Sequence, residues 1–199
     1  MTDILQNAHD TLCSGHKFRT SQTRGTQLKN DTMKLSSILR SAVAAAAFAV
    51  CAATATAQFP SVQLKDLDGK PVDAATLSND GKPFVVSFFA TWCKPCLREL
   101  KSIAEVYPDW QDETGMKLIA ISIDEAQNAS KVRPLVDAQG WEYEVLLDTN
   151  SELYRALGIQ MVPHLLIIDG QGNIIENRSG YTDGSESHII EKIREALTK

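Results

Sequence analysis

The chain has 199 residues, 43% apolar and 23% charged, with a formal net charge of −5, which fits one soluble domain of ordinary size with a packed core. The charge is uneven: residues 1–57 hold six Lys/Arg and three Asp/Glu, and residues 58–199 hold 14 against 22, near −8. Such an acidic surface repels phosphate backbones, and no basic stripe or aromatic RNA-type motif offsets it, so nucleic acid is not an expected partner.

Residues 1–32 are polar and lack sustained periodicity, whereas Met33-Lys34-Leu35-Ser36-Ser37-Ile38-Leu39-Arg40 runs into an uncharged, alanine-rich stretch over 41–57. Lys34 and Arg40 form a positive n-region, 41–53 a short apolar h-region, and Ala55-Thr56-Ala57 a small-residue cleavage site. Residues 33–57 are therefore expected to be an export signal whose removal leaves Gln58 first, with translation starting at Met33. A membrane tether through an uncleaved signal is the weaker alternative, because the run falls short of the ~20 strongly apolar residues a span needs. A lipid anchor at Cys51 is weaker still, since bulky Val50 stands where such a site wants a small residue. Loss of residues 1–57 removes Cys13 and Cys51 and leaves Cys93 and Cys96 in the domain 58–199. Two cysteines three positions apart close too short a loop to staple distant elements, which points to a chemical role.

Along the domain, 62–73 alternates around an Asp-Gly turn and predicts a small hairpin covering a sheet edge. Residues 84–90, Phe-Val-Val-Ser-Phe-Phe-Ala, form a nearly continuous apolar run and predict a central strand buried on both faces. Over 94–112 the period becomes helical, with Leu100, Ile103, Ala104, Tyr107 and Trp110 on one side and Arg98, Lys101, Ser102, Glu105, Asp109 and Asp112 on the other. A second buried strand is predicted over 116–123, a helix over 130–139 closed by Gly140, a third strand over 143–147 and a helix over 151–157 ended by Gly158. Residues 165–168 and 174–178 flank an Asp-Gly-Gln-Gly-Asn turn as a hairpin, and a last helix over 183–198 is expected to turn Ile189, Ile190, Ile193 and Leu197 to the sheet. Alternating strands and helices imply parallel pairing in the centre, with antiparallel strands added at the end.

Trp92-Cys93-Lys94-Pro95-Cys96 falls where the first buried strand gives way to the long helix, at the positive end of the helix dipole and beside its free N–H groups. Both favour a thiolate at Cys93; first cysteines so placed have pKa values of roughly 3.5–7.5, against about 8.5 for a free thiol. Lys94 adds positive charge, although a lysine there also suits plain solvation. Pro95 fits the first helical turn, whose N–H has no intrahelical partner. Three residues along a helix bring Cys96 to nearly the face of Cys93, within reach of a short disulfide. Cys93 is then the attacking sulfur and Cys96 the resolving one. Half of a zinc site is the other use of such a pair, but it needs further ligands, and only His164 and His188 are left in the domain. Neither metal nor cofactor is expected.

Glu99 lies three residues after Cys96 and beside Ile103, Val106 and Trp110 on the flank of the apolar face. A half-buried carboxylate there has a raised pKa and can take or return the Cys96 proton. The position equally suits a first-turn glutamate that only complements the dipole. Trp92 reads either as part of the docking surface around the cysteine loop or as a boundary aromatic.

The run Phe89-Ala90-Thr91-Trp92-Cys93-Lys94-Pro95-Cys96-Leu97-Arg98-Glu99-Leu100, followed by Val162-Pro163 and Leu166-Ile167-Ile168-Asp169, resembles the TlpA/ResA-like branch of the thioredoxin superfamily over most of residues 60–199. The resemblance implies an α/β thioredoxin fold: a central mixed sheet flanked by helices, an N-terminal hairpin, and an extra strand and helix after the second core strand. It implies Cys93 as the exposed nucleophile, Cys96 as the buried resolver, and Pro163 as a cis-proline facing them, with Trp92, Val162 and Pro163 binding substrate. It also gives the glutamate at position 99 the proton-carrying role; thioredoxin itself places an acid in the preceding strand, where this chain has Ser87. His164 departs from the family, which more often has Thr there, and a histidine beside the disulfide would stabilise a thiolate, bind copper, or simply hydrogen-bond within its strand.

The leading expectation is reduction of protein disulfides outside the cytoplasm, as in cytochrome c maturation or rescue of misoxidised thiols, by a monomer fed from a thiol-transferring membrane electron donor. Oxidative folding by the same site is the nearest rival, because direction depends on the reduction potential. A thiol peroxidase would need a Thr and Arg arrangement that Cys93 lacks. A copper-delivery module would space its cysteines one residue wider.

Overall fold

A computed structural model describes residues 59–198 of the chain; the expected signal, its cleavage site, Cys13 and Cys51 lie outside the described residues. The opening hairpin pairs β1 (Gln63–Asp66) antiparallel with β2 (Pro71–Asp73). Asp66 shapes the turn with its own carboxylate, which accepts from the N–H groups of Asp68 at 2.9 Å and Lys70 at 2.8 Å. Gly69 takes φ +82° there, a conformation open to glycine for want of a Cβ.

β3 (Phe84–Phe89) is buried at all six positions, and α1 (Lys94–Thr114) leaves its C-terminal end directly, ending on Gly115 in the left-handed region. β4 (Lys117–Ser122) follows, then a 3-10 turn at Ala129–Lys131 that runs into α2 (Val132–Gln139). β5 (Glu144–Leu147), α3 (Glu152–Ala156), the strands β6 (His164–Ile168) and β7 (Ile174–Ser179), and α4 (Glu186–Leu197) complete the order. The sheet order is β2-β1-β5-β4-β3-β6-β7. β3, β4 and β5 run parallel, while β6, β7 and β1 add antiparallel. The hairpin covers one edge, as its alternation predicts. The extra strand after the second core strand is β5, inserted between β4 and β1, with α3 behind it.

Strand alternation sorts the core into two layers. Val85 and Phe89 of β3 and Leu165 and Ile167 of β6 face α1, α2 and α4, whose Leu100, Ile103, Val132 and Ile193 close over them. Val86, Phe88, Ile121 and Leu166 face the other way, under Leu153 of α3 and Phe59. Side chains of this size each contribute about 1.5–3 kcal/mol when fully buried, which makes β3, covered on both faces, the stiffest support for whatever stands at its end.

Two expectations for the last helix are corrected. Residues 183–185 form a turn, because Gly184 at φ +88° leaves the helical region, so α4 starts at Glu186 and not at 183. Leu197, expected to face the sheet, is 45% exposed, and Ile189, Ile190 and Ile193 alone seat the helix. In the final turn Arg194 bonds to Glu113 of α1 through Nε and Nη2, both at 2.6 Å.

Candidate active site

Cys93 is the N-cap of α1: its backbone is extended (φ −88°, ψ 92°) and Pro95 occupies the first turn. Its sulfur takes the N–H of Cys96 at 3.3 Å, and its carbonyl takes the N–H of Leu97 at 3.1 Å. This uses the donors that the helix start leaves free. Cys93 and Cys96 are joined as a disulfide, with S–S 2.00 Å and Cα–Cα 5.3 Å. The expected difference between the sulfurs is present in sense, but Cys93 is less open than the resemblance implies: it keeps 5% exposure, against none for Cys96.

The turn into the disulfide is held by a residue that sequence reasoning missed. Asp124, just past β4 and buried, accepts from the Thr91 N–H at 2.8 Å, from Thr91 Oγ1 at 2.7 Å and from Ser122 Oγ at 2.8 Å. It ties the C-terminal ends of the adjacent parallel strands β3 and β4 together two residues before Cys93. The sequence signal is slight, an Asp at a strand end.

Glu99 is more deeply placed than the half-buried position expected, at 1% exposure. Sheet register explains what surrounds it. Ser87 of β3 pairs with Leu165 of β6, and Leu165 with Arg178 of β7, so the three form one row on the α1 face. Glu99 bridges this row: Ser87 Oγ donates to one carboxylate oxygen at 3.3 Å, and Arg178 Nη2 donates to the other at 3.3 Å. Burial pushes the Glu99 carboxyl above its ordinary value, and the Arg178 charge with the hydrogen bonds from Ser87 and Arg178 pulls it back part of the way. At i, i+3 along α1, Glu99 and Cys96 have Cβ atoms about 5–6 Å apart on one face. Arg178 is the second residue missed; it comes from 79 positions away, and no local pattern announces it.

The Val162-Pro163 peptide bond is cis. The Pro163 carbonyl is fixed by the Gly180 N–H at 2.8 Å, and Val162 packs against the apolar cluster that contains both cysteines. Trp92 is not a core or boundary aromatic: it is 65% exposed, at a shallow groove shared with Thr91, Asn128, Lys131 and Leu135. Lys94 is exposed. His164 does not stand beside the sulfurs. Its ring packs on Phe88, in the layer on the far side of the sheet from α1, with centroids 6.5 Å apart. Its Nδ1 lies 2.8 Å from Ser179 Oγ, and burial lowers its pKa. Its Nε2 is buried without a hydrogen-bond partner. Among the described residues no group of three or more His, Cys, Asp or Glu is placed to hold a metal ion.

Comparison with known proteins agrees with this geometry. A model of the AhpC/TSA family matches residues 55–177. The thiol-disulfide oxidoreductase ResA of Bacillus thuringiensis strain Al Hakam is 31% identical over 123 residues, which is 62% of this chain and 68% of ResA. Among solved structures, an uncharacterized thioredoxin-like protein from Porphyromonas gingivalis is 57% identical, covering 70% of this chain and 92% of that one, with TM-score 0.64. A thiol:disulfide interchange protein of the thioredoxin family from Chlorobium tepidum TLS is 31% identical, covering 70% of this chain and 95% of that one, with TM-score 0.57.

Proposed function

This chain belongs to the AhpC/TSA family and is a thiol-disulfide oxidoreductase of thioredoxin-like fold, and from that premise we propose that it reduces disulfides in proteins outside the cytoplasm. The observation that carries the direction is the buried carboxylate three residues on from Cys96. Glu99 follows Cys96 by one helical turn on α1 and is 1% exposed. A dithiol pair becomes oxidising when its reduced form is stabilised, chiefly as thiolate. A buried acid beside Cys96 opposes negative charge there and favours giving electrons away.

In the forward cycle the Cys93 thiolate attacks a substrate disulfide, one substrate sulfur leaves as a thiolate, and a mixed disulfide forms. Cys96 then passes its proton to Glu99 and attacks Cys93; the Cys93–Cys96 bond forms, the bond to substrate breaks, and two electrons have moved to the substrate. Trp92, Val162 and Pro163 are the surface on which the substrate segment lies. A thiol-transferring donor at the membrane restores the dithiol, and the protein works as a monomer. Maturation of c-type cytochromes, whose haem is attached at a C-x-x-C-H motif that must be reduced, is one process with this need.

Equilibration with glutathione tests the direction: the Cys93/Cys96 couple is expected at about −220 mV or below, on the thioredoxin side of the scale. A value near about −120 mV, where strong oxidants lie, makes the protein an oxidase and ends the proposal.

Residues 33–57 supply the route out of the cytoplasm as a cleaved signal, consistent with their charged, apolar and small-residue zones. Among the described residues no helix is long and apolar enough to cross a membrane. Intact-mass measurement of the exported protein is expected to place Gln58 at the amino terminus; an exported form retaining 33–57 makes the segment a tether.

A further inference from the structure

We propose that Arg178 is the positioning residue of this site: from the edge strand β7 it aims the Glu99 carboxylate and keeps it able to accept the Cys96 proton. The inference rests on the reading of Glu99 as that acceptor and adds a residue that neither the cysteine motif nor the fold requires.

Arg178 lies on the α1 face of the sheet, its side chain only 20% exposed. Its Nη2 reaches Glu99 Oε1 at 3.3 Å and Ser185 Oγ at 3.4 Å, while its Nε is buried with no partner. A guanidinium held mostly out of water with one N–H unsatisfied is costly. Its neighbour in the row is Leu165, and an apolar side chain would fill the same place without that cost. The group that gains from a cation there is Glu99. Burial raises the pKa of the Glu99 carboxyl, and a protonated acid cannot take a proton from Cys96; Arg178 supplies the largest opposing pull. Ser87 on β3 and Arg178 on β7 grip opposite oxygens, so the pair also fixes the plane of the carboxylate over Leu165.

The groups that bear on Glu99 come from several elements. Arg178 and Ser87 are the sheet's contributions. Tyr143, just ahead of β5, lies within electrostatic range, but burial drives its phenol far above its ordinary value, so it stays neutral while Glu99 titrates. Cys96 shares the helix and is the group served.

The test is the pH dependence of single-turnover disulfide reduction by the full exported domain. In the unmodified protein the rate is expected to show, beside the limb of Cys93 ionisation, a limb set by ionisation of Glu99. Arg178→Met is expected to move that limb upward by about one pH unit or more, the size of effect one guanidinium has on a neighbouring carboxylate, and to slow reduction at neutral pH about tenfold. Arg178→Gln, a more soluble neutral replacement, gives the same displacement should the methionine variant not fold. Arg178→Lys restores part of the profile. In a Glu99→Gln background the limb is absent and the Arg178 replacements no longer move the profile, an outcome that a merely structural arginine does not produce. Neutral variants that keep the unmodified profile, or a displacement that persists in the Glu99→Gln background, overturn the inference. Failure of Glu99→Gln itself to change the profile overturns the underlying reading of Glu99 instead.

Discussion

Replacing Cys96 by serine is expected to lower turnover on the order of 10³-fold or more, since residues that act as a unit lose nearly the whole effect together, and to leave Cys93 joined to its substrate. The hydroxyl cannot displace a sulfur, so the cycle stops at the mixed disulfide. The loss is chemical and not conformational. Opening a disulfide across so short a loop costs about 2 kcal/mol in the chain-entropy description, small against the roughly 5–15 kcal/mol of a folded domain. The cluster around the sulfurs, with Phe89, Leu100 and Ile103 fully buried, stays in place. Non-reducing gel shift and mass spectrometry of the trapped species check the result and identify the natural partner. Cys93→Ser is expected to trap nothing, because Cys96, without measurable exposure, cannot meet a substrate. Adducts on Cys96 in that variant, or none on Cys93 in the other, reverse the assigned roles.

Much of this site is legible in the sequence, and the boundary of legibility has a physical cause. The continuous apolar run of β3 and the helical period of α1 are local patterns, and the junction between them locates Cys93 as N-cap. Glu99 is legible as a flank position from its angle on the helix, yet its full burial depends on the row Ser87-Leu165-Arg178, assembled by pairing three strands. Periodicity cannot report that register. The same limit explains His164. Position next to Pro163 suggests proximity to the sulfurs, but strand parity sends its ring to the far layer with Phe88. Leu197 continues the apolar stripe of α4, yet at the helix end it is 45% exposed, which the stripe does not report. The restricted opening at Cys93 likewise belongs to tertiary packing and has no local signature.

Asp124→Ala is expected to destabilise the domain by about 3 kcal/mol or more, because it strips the acceptor from buried donors that each cost about 1–3 kcal/mol unpaired. Asp124 gathers the Thr91 N–H, Thr91 Oγ1 and Ser122 Oγ, all within 2.8 Å. For a domain near this size the melting temperature should fall by roughly 6–12 °C. The loss should reach the chemistry, since Thr91 leads directly into the turn in which Cys93 bonds back to Ala90 and caps α1. With Thr91 untied, the cap samples other geometries, and the rate of mixed-disulfide formation drops even at temperatures where the variant remains folded. Asp124→Asn separates charge from geometry. Its amide oxygen can replace the oxygen that serves the Thr91 N–H and Ser122, and its amide nitrogen can donate to a rotated Thr91 hydroxyl. If the clamp works by shape, the asparagine variant keeps most of the stability and rate that alanine loses. Thermal melts together with single-turnover kinetics decide it. An alanine variant within about 1 kcal/mol of the parent and equally fast would mean that the strand ends hold the cysteine loop without Asp124.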